Sequence, residues 1–422
     1  RNGQLVAADS IMNPQVIYGE DVMARITYAM MNGPEGLSRM REAISTGLND
    51  LIRSVASSSQ IAPEHIFEMT VVGNTAMHHI FLGINPLHLG LSPFPPAIHH
   101  SLDLKACDLG IRIHPEANVH ILPIEAGFVG ADNVGVLICE TPYQTDEMAL
   151  IIDVGTNGEL VLGNRHRVAS SSCATGPAFE GAHLQFGMRA APGAIERVRI
   201  DPKTFHVRYK VIGMEQWSDQ VPAVQIQARG ICGSGVIEAV AEMFTVGILD
   251  MGGRILENPN NPRLRNTDKG PAYVVAEAAE TAIGQDITIS VPDVRAVQLA
   301  KGALYAGAKI MMKTLGVERL DKVVLAGGFG SYIDPLHAMI LGMFPDCGLK
   351  NVITVGNAAG DGARIALLDR KKRAEADEIA RQVEYIELTI SPDFTMEFAE
   401  AMHFPHMADE FPSLAPLLNR PE

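Results

Sequence analysis

Apolar positions recur at helical spacing through the first sixty residues. Val22, Ile26 and Met30 share one stripe and predict a helix over 18–31. Leu37, Met40, Ile44, Leu48, Leu51 and Val55 predict a longer amphipathic helix that Ser57-Ser58-Ser59 ends. Residues 4–8 read as a strand. Short apolar runs and glycine turns then alternate. A strand is expected over 67–72, a turn at Gly73-Asn74-Thr75 and a helix over 76–82. Residues 86–96 are a proline-rich loop, 119–122 a strand, and 127–139 a helix rich in small residues.

The second half carries the same order. An apolar run over 149–154 contains Asp153, a tight polar turn follows, and a second apolar run closes a β-hairpin whose Asn157-Gly158 is a strong turn signal. Residues 197–200 and 207–212 read as peripheral strands, 233–244 as a helix, and 252–270 as an inserted surface loop. A long helix over 293–315 leads to a strand over 322–326, a glycine turn at 327–330, a helix over 335–341, a strand over 352–355 and a small-residue helix over 357–368. Strand, glycine turn, helix, strand and small-residue helix thus appear at 67–139 and again at 322–368. Each small-residue helix carries one aspartate, Asp132 and Asp361. The pattern predicts a duplicated α/β unit, with two lobes around a cleft.

The hairpin supports two readings equally on its own residues. It is a plain hairpin with a polar tip, or a phosphate site. In the second reading the backbone of Gly155, Thr156, Asn157 and Gly158 approaches phosphate oxygens and Asp153 holds a hydrated Mg²⁺. Gly327-Gly328-Phe329-Gly330 lacks the third glycine of a dinucleotide fingerprint, since position 333 is Ile333. It suits close backbone approach to a nucleoside or a tight strand–helix turn. Gln298 and Lys301 share a helix face that is either solvated or part of a nucleotide pocket. Glu180 either orients water or a metal, or sits at a helix start for electrostatic reasons. Asp132 is expected to face the cleft. The adjacent pairs His78-His79 and His99-His100 do not share a helix face, and His403-x-x-His406 spans Pro405, so none reads as a metal site.

Composition narrows the picture. The 422 residues are 47% hydrophobic, which fits a globular chain with a sizeable core. A net charge of −15 leaves no basic stripe for nucleic acid. No apolar stretch is long enough to span a bilayer, and no leader pattern is visible, so a cytoplasmic protein is expected. The five cysteines are scattered singly, which fits reduced thiols and offers no zinc or iron–sulfur spacing within the chain. The chain opens on Arg1 without an initiator methionine, so a fragment or processed form is expected.

Several blocks together resemble the actin-like ATPase superfamily, and more closely the C-terminal ATPase region of the reductive activators of corrinoid proteins. They are Asn13-Pro14-Gln15 with Tyr18-Gly19, Val72-Gly73-Asn74-Thr75-Ala76-Met77-His78-His79, Ala126-Gly127-Phe128-Val129-Gly130-Ala131-Asp132, and Asp153-Val154-Gly155-Thr156-Asn157-Gly158-Glu159. Gly176-Pro177-Ala178-Phe179-Glu180-Gly181, Ala326-Gly327-Gly328-Phe329-Gly330 and the tail around Met402-His403-Phe404-Pro405-His406 continue the likeness.

The resemblance implies an actin-like, ribonuclease H-like fold. A first lobe would cover 1–145. A second would cover 146–371, with insertions near 197–225 and 250–290, and a tail over 372–422 would pack back on the core. It implies ATP and Mg²⁺ as ligands. Asp153 to Glu159 would be the second phosphate motif, with Asp153 as metal holder, and Gly327 to Gly330 the adenosine motif. Gly176, Gln298 and Lys301 would be further nucleotide contacts, and Asp153, Glu180 and Asp132 the catalytic acids. The superfamily's first phosphate hairpin and the activators' ferredoxin-type iron–sulfur domain do not occur in this sequence, so a chain truncated at its N-terminus is expected. The partner implied is a corrinoid protein whose cobalt is reduced from Co(II) to Co(I), with a homodimer as the assembly. A small-molecule kinase of the same superfamily and a non-catalytic docking domain are the alternatives.

Overall fold

Gly33 and Pro34 decide how the first helical stretch is built. Gly33 adopts φ 57° and Pro34 cannot donate into the ladder, so the two predicted helices become one kinked element, Val22–Ser58. Asp21 caps its start by accepting from Ala24 N at 2.7 Å. The computed structural model describes residues 3–155, 157–328 and 330–418. They form two compact units. The first comprises Arg1–Gln144 with Ala358–Tyr385, the second Thr145–Asn357 with Ile386–Glu422.

In the first unit, Glu68–Val71 pairs in parallel with Asn118–Ile121, and Leu102–Lys105 pairs antiparallel on the other side of Asn118–Ile121. The expected strand over 4–8 does not form. Those residues pair with no sheet edge, and Leu5 and Val6 stay exposed, so nothing offsets the cost of extending them. The small-residue helix begins at Ala131, later than the sequence pattern suggests. Before it, the backbone must pass close to the Gly73–Thr75 turn. A Cβ on Gly130 would lie 2.6 Å from both Gly73 O and Thr75 N. Thr75 Oγ1 donates to Ala126 O at 2.8 Å and holds the two turns together.

The Ala131–Glu140 and Ala358–Leu368 helices pack directly on each other within this unit. Their glycines are the reason. A Cβ on Gly362 would lie 2.0 Å from Gly135 O, and one on Gly135 would lie 2.8 Å from Ala359 O. The small residues therefore serve helix–helix approach here. Arg370–Gln382 follows, its Arg373 donating to Glu68 at 2.7 Å across the sheet face.

The second unit is organised on a sheet that runs Val352–Gly356, Lys322–Ala326, Ala149–Val154, Asn157–Asn164, Arg167–Ala174. The first three strands are mutually parallel, and the hairpin strands reverse direction. Leu150, Ile152, Leu160, Leu162 and Leu325 form the core beneath. Two sequence readings change. Ala194–Ile200 and Val207–Val211 are not peripheral, since Val198 and Tyr209 are fully buried. The 252–270 stretch is not wholly loop, because Leu264–Thr267 pairs with Gly270–Ala276, which pairs in turn with Ile287–Ser290. Proline and asparagine between them masked the alternation. Among the described residues no helix is long and apolar enough to cross a membrane.

Candidate functional site

Asp153 sits near the end of Ala149–Val154, between Glu159 on the hairpin's return strand and Ala326 on the neighbouring parallel strand. That register brings the hairpin tip beside the glycine turn. Lys322–Ala326 ends, Gly327 takes φ +93°, and its backbone turns against the aspartate. A Cβ at Gly327 would stand 2.4 Å from Asp153 Oδ1. Gly327 N donates to Gly356 O at 2.8 Å, which anchors the turn to the next strand. Glycine is required here by both the left-handed backbone and the close approach.

The hairpin tip is wedged from below. A Cβ on Gly158 would meet Leu304 Cδ2 at 2.4 Å and Cys173 Sγ at 3.1 Å. Thr175 Oγ1 donates to Gly155 O at 2.7 Å and closes the tip against the following loop. Thr175 was not singled out from sequence, although it lies directly before the quoted Gly176-Pro177 block. On the open side the picture reverses. The positions where a Cβ would sit on Gly176 (φ +71°) and Gly328 meet no atom within 4 Å among the described residues beyond their chain neighbours. A half-buried carboxylate and the hairpin that carries it thus meet a glycine turn at the edge of the sheet. Thr156 and Phe329 lie outside the described residues.

Other predicted residues fall elsewhere. Glu180 is exposed, at the end of the short Pro177–Glu180 turn. Asp132 belongs to the first unit, in the opening turn of Ala131–Glu140, where burial pushes its carboxyl up to about 6 against the pull of backbone N–H donors. Gln298 and Lys301 are buried, 3% and 0% exposed, and their polar atoms are committed to the C-terminal tail. Gln298 Nε2 donates to Met402 O at 2.7 Å and Gly252 O at 3.0 Å. Lys301 Nζ donates to His403 O and to Pro405 O at 2.8 Å. Further along the same helix, Lys309 and Tyr305 hold Asp409, and Lys313 holds Glu397. This face is neither solvated nor open to a ligand: it is the seat of the tail.

Behind the glycine turn lies an ion network absent from the sequence reading. Asp334 caps Pro335–Leu341, accepting from Leu336 N at 3.0 Å and His337 N at 3.1 Å. The His337 ring bridges Asp334 Oδ1 at 2.9 Å and Glu242 Oε1 at 3.0 Å. Glu238, 1% exposed, accepts from Arg197, Arg199 and the Val198 N–H. Glu238, Asp334 and His337 place ligand-type atoms within 4.8 Å of one another. Both ring nitrogens of His337 are already engaged, and two guanidiniums supply the positive charge. The cluster is therefore an ion-pair network and not a metal centre.

Burial opposes charge on His337, but hydrogen bonds to Asp334 and Glu242 outweigh it and hold its pKa at about 9. The same bond from His337 leads in drawing Asp334 down to about 2. The histidine's contribution to stability is thus complete below its unfolded value of 6.5 and fades as pH rises through 9. The aspartate's contribution is present above 3.8 and is lost as pH falls through about 2. The wild-type melting temperature should fall between pH 6.5 and 9 by more than that of His337→Gln. Equal slopes in calorimetric scans would remove this account.

The family matches divide the chain near residue 145, whereas residues 358–385, inside the second match, belong to the first compact unit. Residues 147–415 match the family described as the C-terminal domain of RACo, the ASKHA domain, and residues 1–144 match the RACo middle region. The corrinoid activation enzyme RamQ of Eubacterium limosum is 37% identical over 404 residues, 93% of this chain and 65% of the relative. The Co(II) methylated amine-specific corrinoid protein reductase of Methanosarcina barkeri is 28% identical over 271 residues, 60% of this chain and 45% of the relative. A solved reductive activator for corrinoid, iron–sulfur protein superposes with a TM-score of 0.86 at 36% identity, covering 96% of this chain and 63% of that one. The chain therefore spans less than two thirds of the length of these relatives.

Proposed function

Because the chain belongs to the RACo family and carries its ASKHA, actin-like fold, we propose that it is the nucleotide-driven part of an activator that returns a corrinoid protein from Co(II) to Co(I). The observation that supports this most is the meeting of Asp153 with the Gly327 turn, 2.4 Å from carboxylate oxygen to the place a Cβ would occupy. Open space beside Gly176 and Gly328 fits a nucleotide lying across the hairpin tip. In this reading Asp153 holds Mg²⁺ and its water, and the backbone around Gly155, Asn157 and Gly158 receives phosphate oxygens. Gly327, Gly328 and Gly330 admit the adenosine. Glu180, exposed on its turn in the same unit as Asp153, is the acid assigned to water activation, and Asp132, which belongs to the other unit, is given no part in this site. Gln298 and Lys301 are assigned to the tail and not to the nucleotide.

Bound ATP would supply the free energy for an electron transfer that is otherwise uphill. The chain's own part is positioning and electrostatics. The electron comes from a donor outside this sequence, since its five cysteines are dispersed and free. The corrinoid protein is the partner because the named relatives activate or reduce such proteins.

Titration calorimetry tests the reading. Wild type should bind Mg²⁺-ATP, and Asp153→Ala should weaken that binding at least tenfold, about 1.4 kcal/mol. Phosphate release should rise when a Co(II) corrinoid protein is added and stay flat with sugars or carboxylic acids. Absence of any Mg²⁺-ATP binding would overturn the proposal, and stimulation by sugars or acids would favour a kinase.

A further inference from the structure

We infer that His337 is a positioning residue for the nucleotide site, bolting the helix that follows the 327–330 turn to the Gly233–Thr245 helix and so fixing the turn beside Asp153. This rests on the nucleotide reading above.

The connection between turn and helix is short. Ile333 N donates to Gly330 O at 3.2 Å, Ile333 is buried, and Asp334 immediately caps Pro335–Leu341. Little freedom separates Gly330 from His337, so whatever holds the histidine holds Gly330, the last glycine of the motif. What holds it is rigid. Glu242 also accepts from Ile200 N at 3.0 Å, and Glu238, one helical turn earlier, is fixed by Arg197, Arg199 and Val198 N. Strand Ala194–Ile200 and helix Gly233–Thr245 thus form one base, and His337 ties the turn's helix to it beside their apolar packing. The Arg197 and Arg199 side chains that reach this base are about a third exposed, whereas the His337 side chain is 5% exposed.

The bridge needs two donors from one ring, and only the imidazolium has them. The charged groups facing it are Asp334 on its own helix, Glu242 and Glu238 on the second helix, and Arg199 on the strand, whose Nε lies 3.9 Å from Glu242. Three carboxylates surround the ring, so loss of its proton turns an attractive bolt into repulsion between Asp334 and Glu242.

The test is Mg²⁺-ATP affinity by calorimetry from about pH 7.5 to about pH 9.5, a range above the last phosphate pKa of about 6, so that the nucleotide stays fully ionised. Wild-type affinity should fall several-fold as pH passes through 9, where His337 releases its proton. His337→Gln should bind about tenfold more weakly at the lower pH, about 1.4 kcal/mol, and show no step. Should that variant fail to fold by circular dichroism, Glu242→Gln, which keeps the Asp334 contact, should move the step to lower pH. A flat wild-type profile, or equal affinity in wild type and His337→Gln, overturns the positioning role while leaving nucleotide binding intact. No binding by wild type at the lower pH overturns the nucleotide reading and this inference with it.

Discussion

Glu238→Ala should lower the stability of the second unit by about 3–5 kcal/mol, the range measured when one partner of a buried ion pair is deleted. The carboxylate is 1% exposed and accepts from Arg197 Nη1 at 2.6 Å, from Arg199 and from Val198 N at 2.9 Å. Truncation leaves a backbone N–H buried without an acceptor and two guanidiniums facing each other. Each guanidinium side chain is about one third exposed, 33% and 32%, so both can turn toward water and part of the charge cost is relieved. The lost acceptor on Val198 and the cavity are not relieved, since the neighbouring Val198 and Ile195 are fully buried. Glu238→Gln, which keeps the volume and one acceptor, should cost less. Denaturant unfolding reads both. A loss below about 1 kcal/mol for the alanine variant would show that the network is a surface ornament and not a structural base.

Gly327→Ala should be the most damaging single methyl group at the site. Two costs add. The residue holds φ +93°, a region that L side chains rarely adopt, at about 1–3 kcal/mol. The new Cβ would also sit 2.4 Å from Asp153 Oδ1 and 3.0 Å from Val154 O. Carboxylate and turn must part, an overpacking cost of another 1–3 kcal/mol, roughly. Stability should therefore fall, and, on the proposed nucleotide reading, Mg²⁺-ATP affinity should fall with it because the carboxylate proposed to hold the metal would move. Gly328→Ala is the control, since among the described residues nothing beyond its chain neighbours lies within 4 Å of its Cβ position. Its fold should be unaffected, and only ligand binding should respond. If Gly327→Ala melts and binds like wild type, Asp153 and the turn do not form one site.

Most elements were legible because local chemistry marks their ends. Asn74 and Asp334 cap the helices they precede, Gly83 and Gly342 close them in left-handed conformation, and Asn157-Gly158 starts the return strand of the hairpin. The duplicated α/β class followed from the order of those elements, and its actin-like form from the family resemblance that the quoted motifs carry. Several strands escaped notice. Leu102–Lys105, Leu264–Thr267 and Gly270–Ala276 are short, carry charge or proline, and exist through their partners. The strand expected over 4–8 has the right residues but pairs with no strand among the described residues. Strand formation is a property of pairs, which a single stretch cannot express.

The site divides in the same way. The sequence by itself determined the local pieces: a carboxylate near the end of an apolar strand, glycines where the backbone must turn sharply, and small residues along two helices. These depend on φ, ψ and side-chain volume, which each residue carries with it. Tertiary structure alone decided what those pieces meet. Register in the central sheet puts Asp153 opposite Ala326, and so against Gly327. The glycines at 135 and 362 meet each other's backbone, and Gln298 and Lys301 meet tail carbonyls instead of a ligand. An isolated lysine or glutamine on a helix face has the same chemistry whether it faces water, nucleotide or carbonyl. Its role follows from which donors and acceptors burial leaves it, and those are set by contacts between segments far apart in the chain.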